Sequence, residues 1–94
     1  AVAADRLHAN VPNPFNPATR IRFELAQAGP AVLRVLDVRG RAVRILVSSW
    51  QAAGPQARAW DGRDDRGRRV ASGVYLYRLE TERSAATRRM VLVQ

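Results

Sequence analysis

Apolar and polar residues alternate with a period of two through most of this chain, which predicts strands rather than helices. Between Thr19 and Leu25, Ile21, Phe23 and Leu25 fall on one side and Arg20, Arg22 and Glu24 on the other, the mark of a half-buried strand. Gly29-Pro30 turns the chain. Ala31, Leu33 and Val35 then alternate with Val32, Arg34 and Leu36 until Asp37-Val38-Arg39-Gly40 turns it again, predicting a hairpin. Val43 to Val47 is the return strand. Val43 and Leu46 stand three apart, which predicts a bulge or a short helical turn before Trp50. Gln51 to Pro55 reads as a loop, and Gln56 to Trp60 as an extended run with Ala57 and Ala59 on one face. Arg58 shares parity with Trp60. Either it sits at a sheet margin with its stem packed and its head in water, or Trp60 turns inward past a local irregularity.

The stretch Trp60 to Leu79 organises the rest, because it joins the sharpest turn, large aromatic side chains and the most apolar strand. Asp61 and Gly62 open a polar loop that Gly67 closes, with Asp64, Asp65 and arginines keeping it in water, and it reads as a hairpin connection. After Ser72 and Gly73, both alternating faces of Val74 to Leu79 are largely apolar. That pattern predicts a central strand with protein above and below it. Thr81 to Ser84 links it to a last strand, Thr87 to Val93, in which Met90 and Leu92 share a face.

At the other end Leu7 to Val11 reads as a short first strand, followed by Pro12-Asn13-Pro14-Phe15-Asn16-Pro17. Three prolines fix their own φ and push Val11, Asn13 and Asn16 away from the α region, so the segment is extended and stiff. It is expected to carry the chain from one edge to another with Phe15 inserted in the core. Seven short runs at spacings of about ten to twelve residues, separated by turn signals, predict an all-β antiparallel sandwich formed by residues 1–94 as one domain. Its expected core includes Phe15, Ile21, Phe23, Leu33, Val35, Tyr75, Leu79, Met90 and Leu92.

Composition narrows the function classes. The chain of 94 residues has no cysteine, so disulfides, thiol chemistry and zinc-thiolate sites are excluded. The apolar runs fall far short of a membrane span, and Ala1-Val2-Ala3-Ala4 lacks a leader pattern, which predicts a mature protein or an excised domain. All sixteen basic residues are arginine, a bias attributed first to a GC-rich genome, and the net charge is +8. That charge favours acidic partners, an anionic surface polysaccharide among them. The arginines are spread one or two per strand between apolar neighbours, as solvated strand faces are. With no recognition helix and no aromatic-basic platform, nucleic acid is not an expected partner.

Reactive constellations are sparse. Asp61, Asp64 and Asp65 could offer oxygens to calcium, but the loop lacks the alternate-ligand order and closing glutamate of an EF-hand, and turn chemistry accounts for them better. No cofactor or metal is expected. His8 is the only histidine, and the serines have no predicted base beside them, so no nucleophilic triad forms and an enzyme is not expected. Tyr75 and Tyr77 share a face near Trp60; a sugar platform is conceivable, and burial in the core is the commoner fate of such residues.

The segment Asn10 to Phe23, opening NVPNPFNPATRIRF, resembles the opening signature of type IX secretion C-terminal sorting domains, a family closely similar to the immunoglobulin-like domain of the flagellar hook cap protein. Further matches are Val35 to Arg41, Trp60-Asp61-Gly62-Arg63-Asp64, Ser72-Gly73 through Leu79, and Thr87 to Leu92, so the resemblance covers nearly the whole chain. Leu36 replaces a usual tyrosine, and Arg89 and Gln94 stand where lysines are common. The resemblance implies a seven-stranded immunoglobulin-like sandwich, a non-catalytic sorting or anchoring module of an exported protein, read by outer-membrane secretion machinery. It places the protein at the cell surface or outside the cell after passage through the periplasm. Recognition is expected at Arg88, Arg89, Met90, Val91 and Leu92. The alternative is a structural or fibre module whose copies join through the edge segments Leu7 to Val11 and Thr87 to Val93.

Overall fold

The computed structural model describes residues 4–94, so Ala1, Val2 and Ala3, on which the expectation of no leader pattern partly rests, lie outside the described residues. The strands are β1 (Arg6–Leu7), β2 (Thr19–Leu25), β3 (Gly29–Leu36), β4 (Ala42–Gln51), β5 (Gly54–Trp60), β6 (Gly73–Thr81) and β7 (Ala85–Leu92). They form a three-stranded sheet ordered β1-β2-β5 and a four-stranded sheet ordered β4-β3-β6-β7, with every neighbouring pair antiparallel. This is the all-β sandwich that the alternation predicts. All nine expected core residues lie in one buried cluster, joined by Leu7, Leu25, Ala31, Val47, Trp60 and Tyr77. Leu33 is fully enclosed at the centre of β3. Leu33→Ala is expected to destabilise the fold by about 2–5 kcal/mol in urea titration, and a loss under about half a kilocalorie would place the side chain outside the core.

The irregularity before Trp50 is a pair of bulges. Leu33 pairs with Val47 and Arg34 with Ile45, so Leu46 has no opposite number; Val35 pairs with Arg44 and Leu36 with Ala42, so Val43 has none. The two residues that stand three apart are therefore the two inserted ones, and both are partly buried against the core. Each bulge restores an apolar side chain to the inner face. No helical turn interrupts β4.

Four expectations are corrected. The first strand is only Arg6–Leu7, and Val11 makes an isolated bridge to Arg20. Between them the buried Asn10 turns inward, its amide donating to Pro12 O (3.2 Å) and Thr19 Oγ1 (3.1 Å), which breaks the alternation a strand needs. The turn after β4 is Ala52-Ala53 alone, because Gln51 pairs with Gly29 and Gly54 with Leu25. The connection after Trp60 is not a hairpin between paired strands. It crosses from one sheet to the other, since β5 pairs with β2 and β6 lies between β3 and β7. Finally, β6 is interior to its sheet but covered on one face only: Tyr75, Tyr77 and Leu79 are buried, whereas Val74 is 39 % exposed.

Arg58 takes the sheet-margin position. Its guanidinium lies 6.0 Å from the centroid of the Phe23 ring and donates to Ala57 O and Gln51 Oε1, both at 2.8 Å. Trp60 keeps the regular inward parity and is completely buried.

Candidate functional site

The segment from Pro12 to Pro17 does not run extended as its prolines predict: it bends at residues 12–14 and 16–17, with cis peptide bonds before Pro12, Pro14 and Pro17, and lies against β7. The Phe15 N–H donates to Val91 O (3.0 Å) and the Val93 N–H donates to Phe15 O (2.9 Å), while the Val91 N–H donates to Asn13 Oδ1 (2.9 Å). Phe15 bridges Leu92 in parallel fashion and its ring is buried, 5.7 Å from the Trp60 ring. The segment thus passes from the Val11–Arg20 bridge beside β2 in one sheet to the edge of β7 in the other, carrying the chain between edges as expected. Pro12, Asn13, Pro14, Asn16 and Pro17 remain exposed around the buried Phe15.

The recognition residues named from sequence divide in two. Met90 and Leu92 are buried, Val91 is partly buried, and Arg89 is exposed on the outer face. Arg88 faces the other way, and its Nε donates to Leu7 O at 2.7 Å, tying β7 to β1 across the sandwich. The two terminal segments are therefore sheet edges, yet each is already engaged by another part of the chain.

Trp60, Asp61 and Gly62 start the crossover. The indole N–H donates to Arg63 O (2.9 Å), and the ring meets Tyr75 edge-on at 5.4 Å. Gly62 has φ of 76°, and a Cβ there would stand 3.1 Å from Pro17 O, so both conformation and space demand glycine. Asp61 and Asp65 share the Arg44 guanidinium (3.5 and 3.8 Å), Asp64 pairs instead with Arg68 (3.9 Å), and each of the three also shapes backbone. Asp61 Oδ1 accepts from the Arg63 N–H (3.1 Å), Asp64 Oδ1 from the Arg66 and Arg68 N–H groups (2.9 and 3.0 Å), and Asp65 Oδ1 from the Ile45 N–H (3.1 Å). The Asp65 N–H also donates to Val43 O, so this loop covers the free edge of β4 where the bulges lie.

A repeated turn emerges that the sequence reading passed over. Asp37-Val38-Arg39-Gly40-Arg41 and Asp64-Asp65-Arg66-Gly67-Arg68 share the pattern D-x-R-G-R, and each aspartate accepts from the N–H groups two and four residues on. Each glycine donates back to its aspartate carbonyl with φ of 84° or 81°. Hydrogen bonds from the Arg41 and Arg68 N–H groups are the main cause holding the Asp37 and Asp64 carboxyls below their ordinary range. The two turns line one shallow groove floored by Val43 and Val70. Matching the two pentapeptides would have revealed them.

Tyr75 and Tyr77 form no open platform. Their hydroxyls donate to Ala71 O and His8 O, each at 2.6 Å, and burial pushes both phenols above the ordinary value. Asp5, which the pattern did not single out, is the most enclosed charge. Its side chain is 3 % exposed and accepts from Ala26 N–H (2.8 Å), Thr81 Oγ1 (2.7 Å), Arg83 Nη2 (2.9 Å) and Ser84 Oγ (2.8 Å).

Apart from Asn10 Oδ1 and Arg34 Nε, which have no hydrogen-bond partner among the described residues, the buried polar groups are committed to architecture, and the comparisons with known proteins agree with that architecture. The sequence model of the FlgD Ig-like domain matches residues 9–85. The chain belongs to this family. No curated protein matches it. This FlgD Ig-like domain superposes on part of dimeric latent PorU from Porphyromonas gingivalis, with a TM-score of 0.72, 23 % identity and 98 % of the chain covered. It also superposes on part of PorZ, a surface component of the type-IX secretion system of the same organism, with a TM-score of 0.61, 22 % identity and 94 % covered. FlgD from Xanthomonas campestris, a protein of flagellar hook capping, gives a TM-score of 0.63 at 27 % identity over 96 % of the chain. The chain spans 10 % of PorU, 11 % of PorZ and 67 % of that FlgD.

Proposed function

We propose that this domain is a non-catalytic sorting or anchoring module of an exported protein that reaches the cell surface or the medium by way of the periplasm. The observation that carries this reading is the clasp between Asn13–Phe15 and Val91–Val93. The segment that resembles the sorting-domain signature and the strand expected to be recognised are one structural unit. A receptor in outer-membrane secretion machinery would therefore meet a composite surface that exists only in the folded domain. Arg89, exposed beside the clasp, would be the side chain that contacts it. Likeness to PorU and PorZ supports the fold on which such a role is built.

Fusing residues 1–94 behind a periplasm-targeted reporter in a host with type IX secretion is expected to deliver the reporter to the surface or medium. Deleting Arg88 to Gln94 is expected to trap it. Because that deletion also removes Met90 and Leu92 from the core, Arg89→Glu is the cleaner variant, expected to reduce export while leaving the denaturation midpoint unchanged. A folded, intact fusion retained in the periplasm would refute the sorting role. The 27 % identity to a hook-capping protein favours a second reading, a structural subunit that assembles with neighbouring copies. Sedimentation separates the two, since assembly requires oligomers at high concentration.

A further inference from the structure

The two outer faces of the sandwich handle their arginines differently. On the four-stranded sheet Glu80 lies between Arg34 (3.7 Å) and Arg78 (3.5 Å), so those guanidiniums have an internal counter-charge, and only Arg89, on the edge strand, has none among the described residues. On the three-stranded sheet Arg6, Arg20 and Arg22 are exposed, and among the described residues none forms an ion pair or side-chain hydrogen bond. The one carboxylate on that face, Glu24, is held by His8 at 3.1 Å. Register places Arg20 beside Ala59 and Arg22 beside Ala57. Each unpaired guanidinium therefore borders a methyl group on β5, and Val11, Pro12 and Ala18 extend this low floor into a shallow groove.

We infer that the outer face of the three-stranded sheet is a docking surface for an extended acidic protein segment, with Arg20 and Arg22 as its anion-reading pair and Ala57 and Ala59 as its floor. Arg20 and Arg22 lie two residues apart on one strand, about 7 Å, which is also the separation of carboxylates at alternate positions of an extended peptide. The alanine methyls leave room for glutamate side chains to cross β5 and reach both guanidiniums. A second copy of this chain is the wrong occupant, because each copy carries +8 and would bring like charges together. Nucleic acid is also a poor fit. Phe23 and Trp60 point into the core, so among the described residues no Phe, Tyr or Trp stands beside Arg20 and Arg22 for a base to stack on, and the His8 ring on that face is engaged with Glu24. The inference concerns a different face from the clasp on β7 and does not depend on the sorting role.

The test is fluorescence anisotropy with a labelled peptide of alternating glutamate and serine, titrated with the whole chain at low and moderate salt. Saturable binding that weakens with salt is expected, and Arg20→Ala/Arg22→Ala is expected to lower affinity about tenfold. Arg39→Ala/Arg66→Ala removes the same charge from exposed loop positions and is expected to change affinity less than about twofold. Thermal melts of both double variants control for folding. Absence of binding, or equal losses from both double variants, would overturn the inference. Tighter binding of oligo-dT that depends equally on Arg20 and Arg22 would also overturn it, and would assign the face to nucleic acid.

Discussion

Trp60→Ala is expected to cost about 3–5 kcal/mol, a large part of the stability of a domain this size, and to leave much of the protein unfolded at moderate urea. Trp60 is completely buried, packs against the rings of Phe15 and Tyr75, and satisfies the carbonyl of Arg63 with its indole N–H. Its removal opens a cavity where β5, the proline segment, β6 and the crossover loop meet, and leaves that carbonyl with only the Arg44 Nη1 donor at 3.2 Å. Trp50 provides the internal contrast. It is 69 % exposed at the end of β4, so Trp50→Ala is expected to shift stability by less than about half a kilocalorie. Urea titrations of the two variants, followed by circular dichroism, measure the difference directly. Comparable losses from both would contradict the assignment of Trp60 as the aromatic centre of the core.

Asp5→Ala is expected to destabilise the domain by about 1–3 kcal/mol, because it removes the acceptor that the Ala26 N–H, the Thr81 and Ser84 hydroxyls and the Arg83 guanidinium share and leaves the Ala26 N–H without its side-chain partner. The contribution depends on pH. Burial pushes the Asp5 carboxyl up, but the hydrogen bonds from Ala26, Thr81, Arg83 and Ser84 together outweigh it and hold the group well below the ordinary carboxylate range. A carboxyl depressed in the folded state stabilises fully above its unfolded value of about 3.9 and loses that contribution as pH falls toward the folded value. The difference in unfolding free energy between wild type and Asp5→Asn is therefore expected to be constant from pH 7 to about pH 5 and to shrink below about pH 4. Denaturant melts across that range test the sign; a difference that grows on acidification would refute it.

Much of the fold was legible because it depends on local patterning. The strict alternation of Thr19–Leu25 specified the inner face of β2, since successive strand residues point to opposite sides. The proline segment could not be helical, and the lone aromatic within it was legible as a core residue, whereas its bends were not. Even the bulges of β4 left a trace, because Val43 and Leu46 could both face the core only if the register slipped between them. The candidate site was less legible. Asp61, Asp64 and Asp65 were identifiable as loop acids, but their service to turns and to the edge of β4 depends on which strand the loop passes.

The sequence by itself determined the strand periodicity, the turn residues and most of the buried side chains, because these follow from near-neighbour chemistry. Only the tertiary structure decided that the loop after Trp60 crosses between sheets, since identical local turns can join paired strands or unpaired ones. It alone brought Asp5 to Thr81 and Ser84, Arg88 to Leu7, and Phe15 to Val91, contacts between segments about seventy to eighty residues apart along the chain. It also decided which arginines remained unpaired. A guanidinium between apolar neighbours reads as a solvated strand face in either sheet, and whether a carboxylate answers it is set by the strand that folds beside it, as Glu80 does for Arg34 and nothing among the described residues does for Arg20 and Arg22.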